Sequence, residues 1–354
     1  RKKMKASKIL ISAILVLAMA LSLCACGQSS TASTQPAASG DAAPAAADDG
    51  KVYECVAALH TTAGGIEDLT VQHFADLLNE RTDGHVQVKV FAGASLGTEQ
   101  ENLTQIKSNE VQFVLFGDVF LSQLLQDYNA TSIPFVFSDI DSAVAYWDSI
   151  SDIVDPIVKE QGNMYIVGRE YRAPRQLTAN KAIETPADLK DVKLRVPETT
   201  FYLKVWGALG AMTTPVNWSE IFTALQTHVV DAQENPIETY YAAGLCEVQS
   251  YTMLTSHINT FYTWTVNSDF YDSLPEEYQK AFDECAAEAL KECNDGLMER
   301  QDAIIEKMVA EGHTIVEVDT GLWKEAAMDS IKECADTLAP EAKAAVYAQL
   351  GLEG

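Results

Sequence analysis

The alternation of strands and helices that decides the fold is clearest in residues 85–116, which read HVQVKVFAGASLGTEQENLTQIKSNEVQFVLF. HVQVKVF (85–91) alternates apolar and polar residues as a half-buried strand does, and VQFVLF (111–116) is a short apolar run typical of a buried strand. The intervening TEQENLTQIKSNE (98–110) has helical character. Strand, helix and strand in this order predict a parallel pair joined by a crossover helix.

The same pattern begins upstream. YECVAAL (53–59) is typical of a strand, and GIEDLTVQHFADLLNERTDG (65–84) has apolar residues at three- and four-residue spacing, which predicts a helix ending at Gly84. Residues 53–116 therefore follow the order βαβαβ, which indicates an α/β fold with a parallel sheet and crossover helices.

A second group of short strands follows residue 173 and indicates a second lobe. Its predicted strands are PRQLTANK (174–181), VKLRV (192–196), AMTTP (211–215) and HVVDAQ (228–233), with helices at 199–210 and 219–227 between them. In the last strand we expect Val229 and Val230 to be buried. The polar residues that follow them are expected to line a cleft, because open α/β sheets bind ligands at the carboxyl ends of their strands.

A long helical pattern dominates the C-terminal region. FYTWTVNSDF (261–270) predicts one more strand, and the helical pattern then runs from Pro275 to Gly312. Gly296 in its middle predicts a kink. At about 1.5 Å per residue such a helix would exceed roughly 50 Å, so we expect it to span both lobes.

The N-terminal segment predicts export. Residues 1–25 combine a basic head with an apolar run from Ile9 to Leu23, as a secretory signal does. The end of this segment, LCAC (23–26), resembles a bacterial lipobox, in which the last cysteine, here Cys26, carries the lipid. Residues 26–50 are small and polar, and they predict a flexible tether. The expected result is a domain tethered by lipid to the outer face of the cell membrane, or a periplasmic one.

Composition excludes several classes of function. The chain has 354 residues and a formal charge of −26, so its surface repels nucleic acid. It has no HExxH, Walker A or GxGxxG motif, and its six histidines lack metal-ligand spacing, so we expect no metal and no cofactor. The cysteines after Cys26 form no CxxC pair and are expected to be buried thiols, although a bridge involving Cys285 or Cys293 stays open, as does the redox state of Cys334.

One enzyme motif is present. GASLG (93–97) matches GxSxG and lies between a predicted strand and a predicted helix, as a nucleophile elbow would. Such an elbow follows several strands of its sheet, whereas only one predicted strand of the folded region precedes this one. The two glycines are explained more simply by a tight turn. A secreted serine esterase that uses Ser95 therefore stays an alternative, and we expect the chain not to be an enzyme.

Two arginines near the ends of second-lobe strands are candidate ligand groups. Arg175 opens PRQLTANK, and Arg195 lies opposite the apolar Val192, Leu194 and Val196 in VKLRV. Exposure of Arg195 to solvent is one interpretation. The other is that both guanidinium groups meet in a cleft and hold a carboxylate, whose geometry their planar forks match.

Residues 181–236 resemble the DctP-type solute-binding proteins of TRAP transporters. The motifs that carry the resemblance are TPADLKDVKLRVP, GAMTTPVNWSE and TALQTHVVDAQENP, and weaker similarity extends over FAGASLGTEQENLTQIKSNEVQF (91–113), IPFVF (133–137) and SLPEEYQKAF (273–282). The family's DGQENP reads DAQENP here, with Ala232 in place of glycine.

The resemblance implies the roles of particular residues. Arg195 in LRVP matches an arginine that pairs with the ligand carboxylate, Arg175 in PRQLT matches a second arginine beneath it, and Asn235 in QENP matches an asparagine that hydrogen-bonds it. The remaining positions implied to contact ligand are Trp218, His257, His60, Thr61 and Asp118. Three of these positions have a structural alternative: Trp218 as a core residue, Asp118 as a helix N-cap and His257 as a structural residue.

The resemblance also implies the architecture. We expect a two-lobe, periplasmic-binding-protein-like (type II) fold that closes around its ligand. The first lobe would take 51–172 plus 261–300, and the second 173–260 plus 301–354. The implied function is capture of an organic acid outside the membrane and its delivery to TRAP membrane subunits. An ABC-type binding protein stays an alternative, and the sequence leaves open whether the acid is a C4-dicarboxylate, a sugar acid, an aromatic acid or a keto acid.

Overall fold

The computed structural model describes residues 50–353, apart from the side chain of Asp118. The predicted signal peptide, Cys26 and the predicted tether up to Asp49 lie outside the described residues. Within the described part, no helix combines the length and the apolar character that crossing a bilayer requires.

The secondary structure alternates as the sequence predicts. The strands are β1 (Tyr53–Ala58), β2 (Val86–Phe91), β3 (Phe113–Phe116), β4 (Met164–Tyr171), β5 (Arg175–Ala179), β6 (Lys193–Val196), β7 (Met212–Pro215), β8 (Ala232–Pro236), β9 (Tyr251–Met253), β10 (Phe261–Asn267) and β11 (Thr314–Val316). The helices are α1 (Ile66–Arg81), α2 (Glu99–Lys107), α3 (Asp118–Leu124), α4 (Ile140–Ser149), α5 (Ser151–Gly162), α6 (Thr200–Ala208), α7 (Ile221–Gln226), α8 (Ile237–Ala242), α9 (Ser268–Ser273), α10 (Glu276–Asp295), α11 (Leu297–Ala310), α12 (Thr320–Ala335) and α13 (Pro340–Leu350).

The first sheet has the strand order β2-β1-β3-β10-β4. Strands β1, β2 and β3 are parallel, as the βαβαβ pattern predicts, and β10 pairs antiparallel with β3 and β4. Helix α1 buries the face that carries Phe74, whose ring stacks on Phe113 of β3 and meets Trp264 of β10 edge-on. The apolar spacing of α1 thus fixes it against this sheet.

The second sheet has the order β11-β9-β5-β8-β6-β7. Its central strand β8 begins later than HVVDAQ predicts: Val229 is 55% exposed, and the strand is Ala232–Pro236. Val229 instead follows α7, where its N–H donates to the carbonyl of Ala224. Because β8 pairs with β5 on one side and β6 on the other, its polar residues lie in the buried centre of the sheet.

Two chain crossings join the sheets. The first runs from Tyr171 to Arg175 and the second from Met253 to Phe261. They pair through backbone hydrogen bonds, from Arg172 N to Thr260 O at 3.1 Å and from Arg175 N to Ile258 O at 2.9 Å. The strands of one sheet thus lie in 53–171 and 261–267 and those of the other in 175–253 and 314–316. The full lobe boundaries stay a prediction.

The long helical pattern after Pro275 forms two helices, α10 and α11, where one kinked helix was predicted. Gly296 separates them and ends the hydrogen-bonded ladder of α10. Helix α10 packs on α1 and β4, whereas α11 packs on α8 and β11. The two halves of the pattern therefore lie against different sheets. The C-terminal helix α13 returns to residues 126–132, where Ala339 N donates to Asp127 O.

Candidate functional site

A cleft of about 310 Å³ lies between the two sheets. The first sheet and its loops contribute His60, Glu99 and Tyr262, the second contributes Arg175, Arg195, Trp218 and Asn235, and the first crossing contributes Arg172. The volume is at the small end of the range of about 300–1,000 Å³ typical of ligand pockets. The cleft therefore fits a small solute.

Arg195 lies in β6 between two fully buried residues, Leu194 and Val196, and is itself only 4% exposed. Its Nε donates to the carbonyl of Val216 at 2.9 Å, and no described carboxylate lies within 4 Å of it. Burial, together with the charge of Arg175, lowers its pKa to about 10, so it stays protonated at neutral pH. A buried cation that faces a cleft without a contact ion pair is a site for an anion.

Arg175 already has a carboxylate partner. Its Nε donates to Glu234 Oε2 at 2.5 Å, and its Nη2 donates to Glu234 Oε1 and to the Glu234 carbonyl, both at 2.8 Å. This ion pair is buried on both sides. Arg175 thus lines the cleft as predicted, but Glu234, which the sequence left unassigned, neutralises its charge.

His257 lies behind Glu234 and is fully buried. Its Nε2 lies 2.9 Å from Glu234 Oε2, and its Nδ1 lies 2.8 Å from Thr255 Oγ1. It is not among the residues that line the cleft, so the structural alternative for His257 fits the geometry better than a ligand contact. Burial acts to raise the pKa of Glu234, but the charge of Arg175 and the hydrogen bonds from His257 and Arg175 outweigh it and lower that pKa to about 2.

Asn235 and Trp218 reach the cleft from opposite sides of β6. Asn235 follows Glu234 in β8, so its side chain takes the other face of the strand. Its Nδ2 donates to Gln233 Oε1 at 2.7 Å, which leaves its second N–H for another acceptor. Trp218 is half-buried in the turn after β7 and lines the cleft while it packs beside Val216. The predicted residues Arg195, Arg175, Asn235 and Trp218 therefore line one cleft, and their contact with a ligand stays a prediction.

Of the residues predicted in the first lobe, one lines the cleft and another does not. His60 lines the cleft, with Nε2 3.7 Å from Glu99 Oε2 and its ring edge-on to Tyr262. Thr61 is buried beside it but is not among the lining residues. Helix α3 begins at Asp118, one residue after its N-cap Gly117, so the backbone does not place Asp118 at the N-cap position. The Asp118 side chain lies outside the described part of the structure.

Sequence reasoning missed Arg172, Glu99 and Tyr262 as lining residues. Glu99 is anchored by the N–H of Gly117, which donates to its Oε1 at 2.7 Å. Arg172 lies three residues before Arg175 in RAPR, and this spacing is the one signal that could have found it. Arg172 lies outside every predicted strand and helix, and the helical pattern that contains Glu99 does not indicate a cleft.

The serine of GASLG does not form a nucleophile elbow. Ser95 is exposed in a turn in which Gly93 and Ala94 both have positive φ, and the turn feeds the capping box of Thr98 and Glu101 at the start of α2. Among the described residues, no histidine pairs with Ser95 and no cluster of His, Cys, Asp and Glu could hold a metal ion. The five described cysteines are free, including Cys285 and Cys293.

Comparison with known proteins agrees with this geometry. Residues 59–337 match the DctP family, described as bacterial extracellular solute-binding protein, family 7. A solute-binding protein of Roseobacter denitrificans is 30% identical over 295 residues, which cover 78% of this chain and 90% of that protein. The 2,3-diketo-L-gulonate-binding periplasmic protein YiaO of Escherichia coli is 29% identical over 267 residues, which cover 75% and 80% of the two chains.

A solved structure shows the same two-lobe fold. It is a TRAP periplasmic solute-binding protein from Roseobacter denitrificans with bound L-galactonate. It superposes with a TM-score of 0.77 and 26% identity, covering 85% of this chain and 99% of that one. The predicted two-lobe α/β fold is confirmed.

Proposed function

Because the chain belongs to the DctP family of bacterial extracellular solute-binding proteins, we propose that its cleft captures a small organic acid by the carboxylate. The observation that carries this proposal is Arg195, a buried cation that faces the cleft without a carboxylate partner among the described side chains. Members of such a family bind and release solutes without covalent chemistry, and the prediction that the chain is not an enzyme is confirmed.

The neighbours of Arg195 complete a carboxylate site. The two Nη groups of Arg195 can donate to both oxygens of a carboxylate, and Asn235 can add a further N–H. Arg175 lies below with its charge balanced by Glu234, so we assign it to holding the floor of the site. Trp218 covers the cleft from the turn after β7.

The relatives support an acid as the ligand. YiaO is named for binding 2,3-diketo-L-gulonate, and the Roseobacter denitrificans structure contains L-galactonate. Both are organic acids, and each carries a carboxylate of the kind that Arg195 would bind. We infer that the bound acid is handed to TRAP membrane subunits after the two lobes close around it at the paired crossings.

Titration calorimetry of matched acids and carboxamides tests the proposal. A panel of small organic acids is titrated first, and the tightest acid is then compared with its carboxamide, which keeps the shape and removes the charge. We expect the carboxamide to bind roughly 100-fold more weakly, because it replaces charge-assisted hydrogen bonds to a buried arginine by neutral ones. Equal affinity of acid and carboxamide would contradict a carboxylate site.

We also propose that Cys26 carries a lipid anchor outside the cytoplasm. The support is the lipobox-like LCAC (23–26) followed by a polar tether. Cell fractionation is expected to find the unchanged protein with the membrane and the Cys26→Ala variant released from it. Cys24→Ala is the matched control and should stay with the membrane. Membrane retention of Cys26→Ala would refute the anchor.

A further inference from the structure

Arg172 is a cleft residue with few of its side-chain donors in use. It lies in the first crossing, is 6% exposed, and lines the cleft. Its Nη2 donates to Thr239 Oγ1 at 2.9 Å, and its guanidinium lies 4.3 Å from the centre of the Tyr262 ring. Its Nε has no hydrogen-bond partner among the described residues. An arginine has five N–H groups, so most of its capacity to donate is unused by the protein.

Buried acids behind Arg172 offset its charge. Behind Arg172 lie three buried glutamates and one further arginine: Glu67, Glu170, Glu238 and Arg300. Arg300 Nε donates to Glu238 Oε1 at 3.0 Å, and Trp264 Nε1 donates to Glu170 Oε2 at 2.8 Å. Burial, reinforced by the charge of Glu67, raises the pKa of Glu170 to about 8. Even with Glu170 protonated, the remaining acids balance both arginines.

The cleft wall adds negative charge. Glu99 faces the cleft from the first lobe, next to His60, and Glu198 and Glu220 are exposed at its second-lobe side. Around Arg195, Glu234 and Glu99 offset the charges of Arg195 and Arg175, but no described carboxylate lies within 4 Å of the Arg195 side chain. A second carboxylate is therefore disfavoured at Arg172, whose charge the buried Glu67 and Glu238 already offset, and the proposed function assigns the ligand carboxylate to Arg195. The N–H donors of Arg172 can nonetheless bond a neutral oxygen.

We propose that Arg172 is a specificity residue that donates to a hydroxyl or carbonyl oxygen of the ligand, away from the carboxylate. The cleft then selects small monocarboxylic acids with a neutral oxygen substituent over plain fatty acids and over dicarboxylic acids. This inference rests on the proposed function, since it places the ligand carboxylate at Arg195. Glu99, an acceptor within the same cleft, would take a hydrogen bond from a hydroxyl and repel a second carboxylate.

The experiment compares three series of probes at matched carbon number: aldonates, unsubstituted monocarboxylates and linear dicarboxylates. Titration calorimetry of the unchanged protein is expected to show the aldonate binding at least roughly 10-fold tighter than the other two. In Arg172→Met this preference for the aldonate over the unsubstituted acid should fall by roughly 10- to 100-fold, the loss expected for a charge-assisted hydrogen bond. Weak binding of the unsubstituted acid should remain.

Two further variants separate specificity from folding. Arg300→Met removes the other arginine of this cluster, which is partly buried and does not line the cleft, and should lower the melting temperature while keeping the preference for aldonates. Thr239→Val keeps Arg172 but removes the oxygen that positions it, and should reduce the preference in part. If Arg172→Met does not fold, the aldonate preference of Thr239→Val tests the inference.

Three outcomes would overturn the inference. The first is an unchanged aldonate preference in both Arg172→Met and Thr239→Val. The second is tighter binding of the dicarboxylate, which would make Arg172 a second carboxylate anchor. The third is a loss of the aldonate preference in Arg300→Met equal to that in Arg172→Met. Failure of every acid to bind the unchanged protein would instead refute the proposed function itself.

Discussion

Replacing Arg195 by methionine is expected to weaken binding of the tightest organic acid by roughly 10²- to 10³-fold, because the acid's carboxylate is then buried without its cation. Methionine keeps most of the side-chain volume and the packing between Leu194 and Val196. The ligand-free protein should lose little stability, since Arg195 is a buried charge without a described carboxylate within 4 Å. Titration calorimetry measures the affinity, and a thermal melt of the ligand-free variant checks the fold.

Arg81→Met is the matched control for this substitution. Arg81 lies at the end of α1, pairs with Glu288 on the surface and is not among the residues that line the cleft. Its replacement should leave the affinity unchanged. Unchanged affinity in Arg195→Met as well would mean that the carboxylate binds elsewhere.

The second large effect concerns stability. Glu234→Gln should lower the free energy of unfolding by roughly 3–5 kcal/mol, because it leaves Arg175 buried without its counter-charge. In a domain of this size such a loss corresponds to a drop in melting temperature of about 10 °C. Glu54→Gln is the matched control: Glu54 pairs with Lys89 on the surface, where an ion pair contributes little, so its melting temperature should hardly change.

A double variant isolates the ion pair itself. Arg175→Met combined with Glu234→Gln removes both charges and should be more stable than Glu234→Gln alone, since no unpaired charge is left buried. If the two substitutions destabilise additively, the pair is not the source of the effect.

The pH dependence of stability has the same origin. The pKa of Glu234 is lower in the folded chain than in the unfolded chain, so its contribution is present above the unfolded value and is lost as the pH falls through the folded value of about 2. The difference in melting temperature between the unchanged protein and Glu234→Gln should therefore shrink between about pH 4.5 and pH 2. A difference that is constant over this range would assign the effect to packing.

How far the sequence predicts this molecule depends on the kind of signal. Apolar periodicity predicts α1 and the parallel strands well, because burial of one face is the main force behind both. At VVDAQENP (229–236) the same reasoning is right for Val230, which is buried, and wrong for Val229, which is 55% exposed. There Gln233, Glu234 and Asn235 are buried because other side chains bond to each of them, and the partners of Gln233 and Glu234, Thr178 and Arg175, are distant in sequence.

The residues of the candidate site also differ in how well the sequence predicts them. Arg195, Arg175 and Asn235 were predicted from strand ends and family motifs, and all three line the cleft. Arg172 was missed because it lies between strands, where no periodicity applies. His257 was predicted to contact ligand, but sequence cannot tell a residue that faces the ligand from one that supports a residue behind it. Only the distances to Glu234 and Thr255 separate the two.

The paired crossings have one further consequence. Arg172 contributes its side chain to the cleft and its backbone N–H to the bond with Thr260 that ties the two crossings together. A ligand oxygen that accepts from Arg172 would contact one of the two crossings that connect the sheets. We therefore expect a ligand bound at Arg172 to change the geometry of the crossings directly.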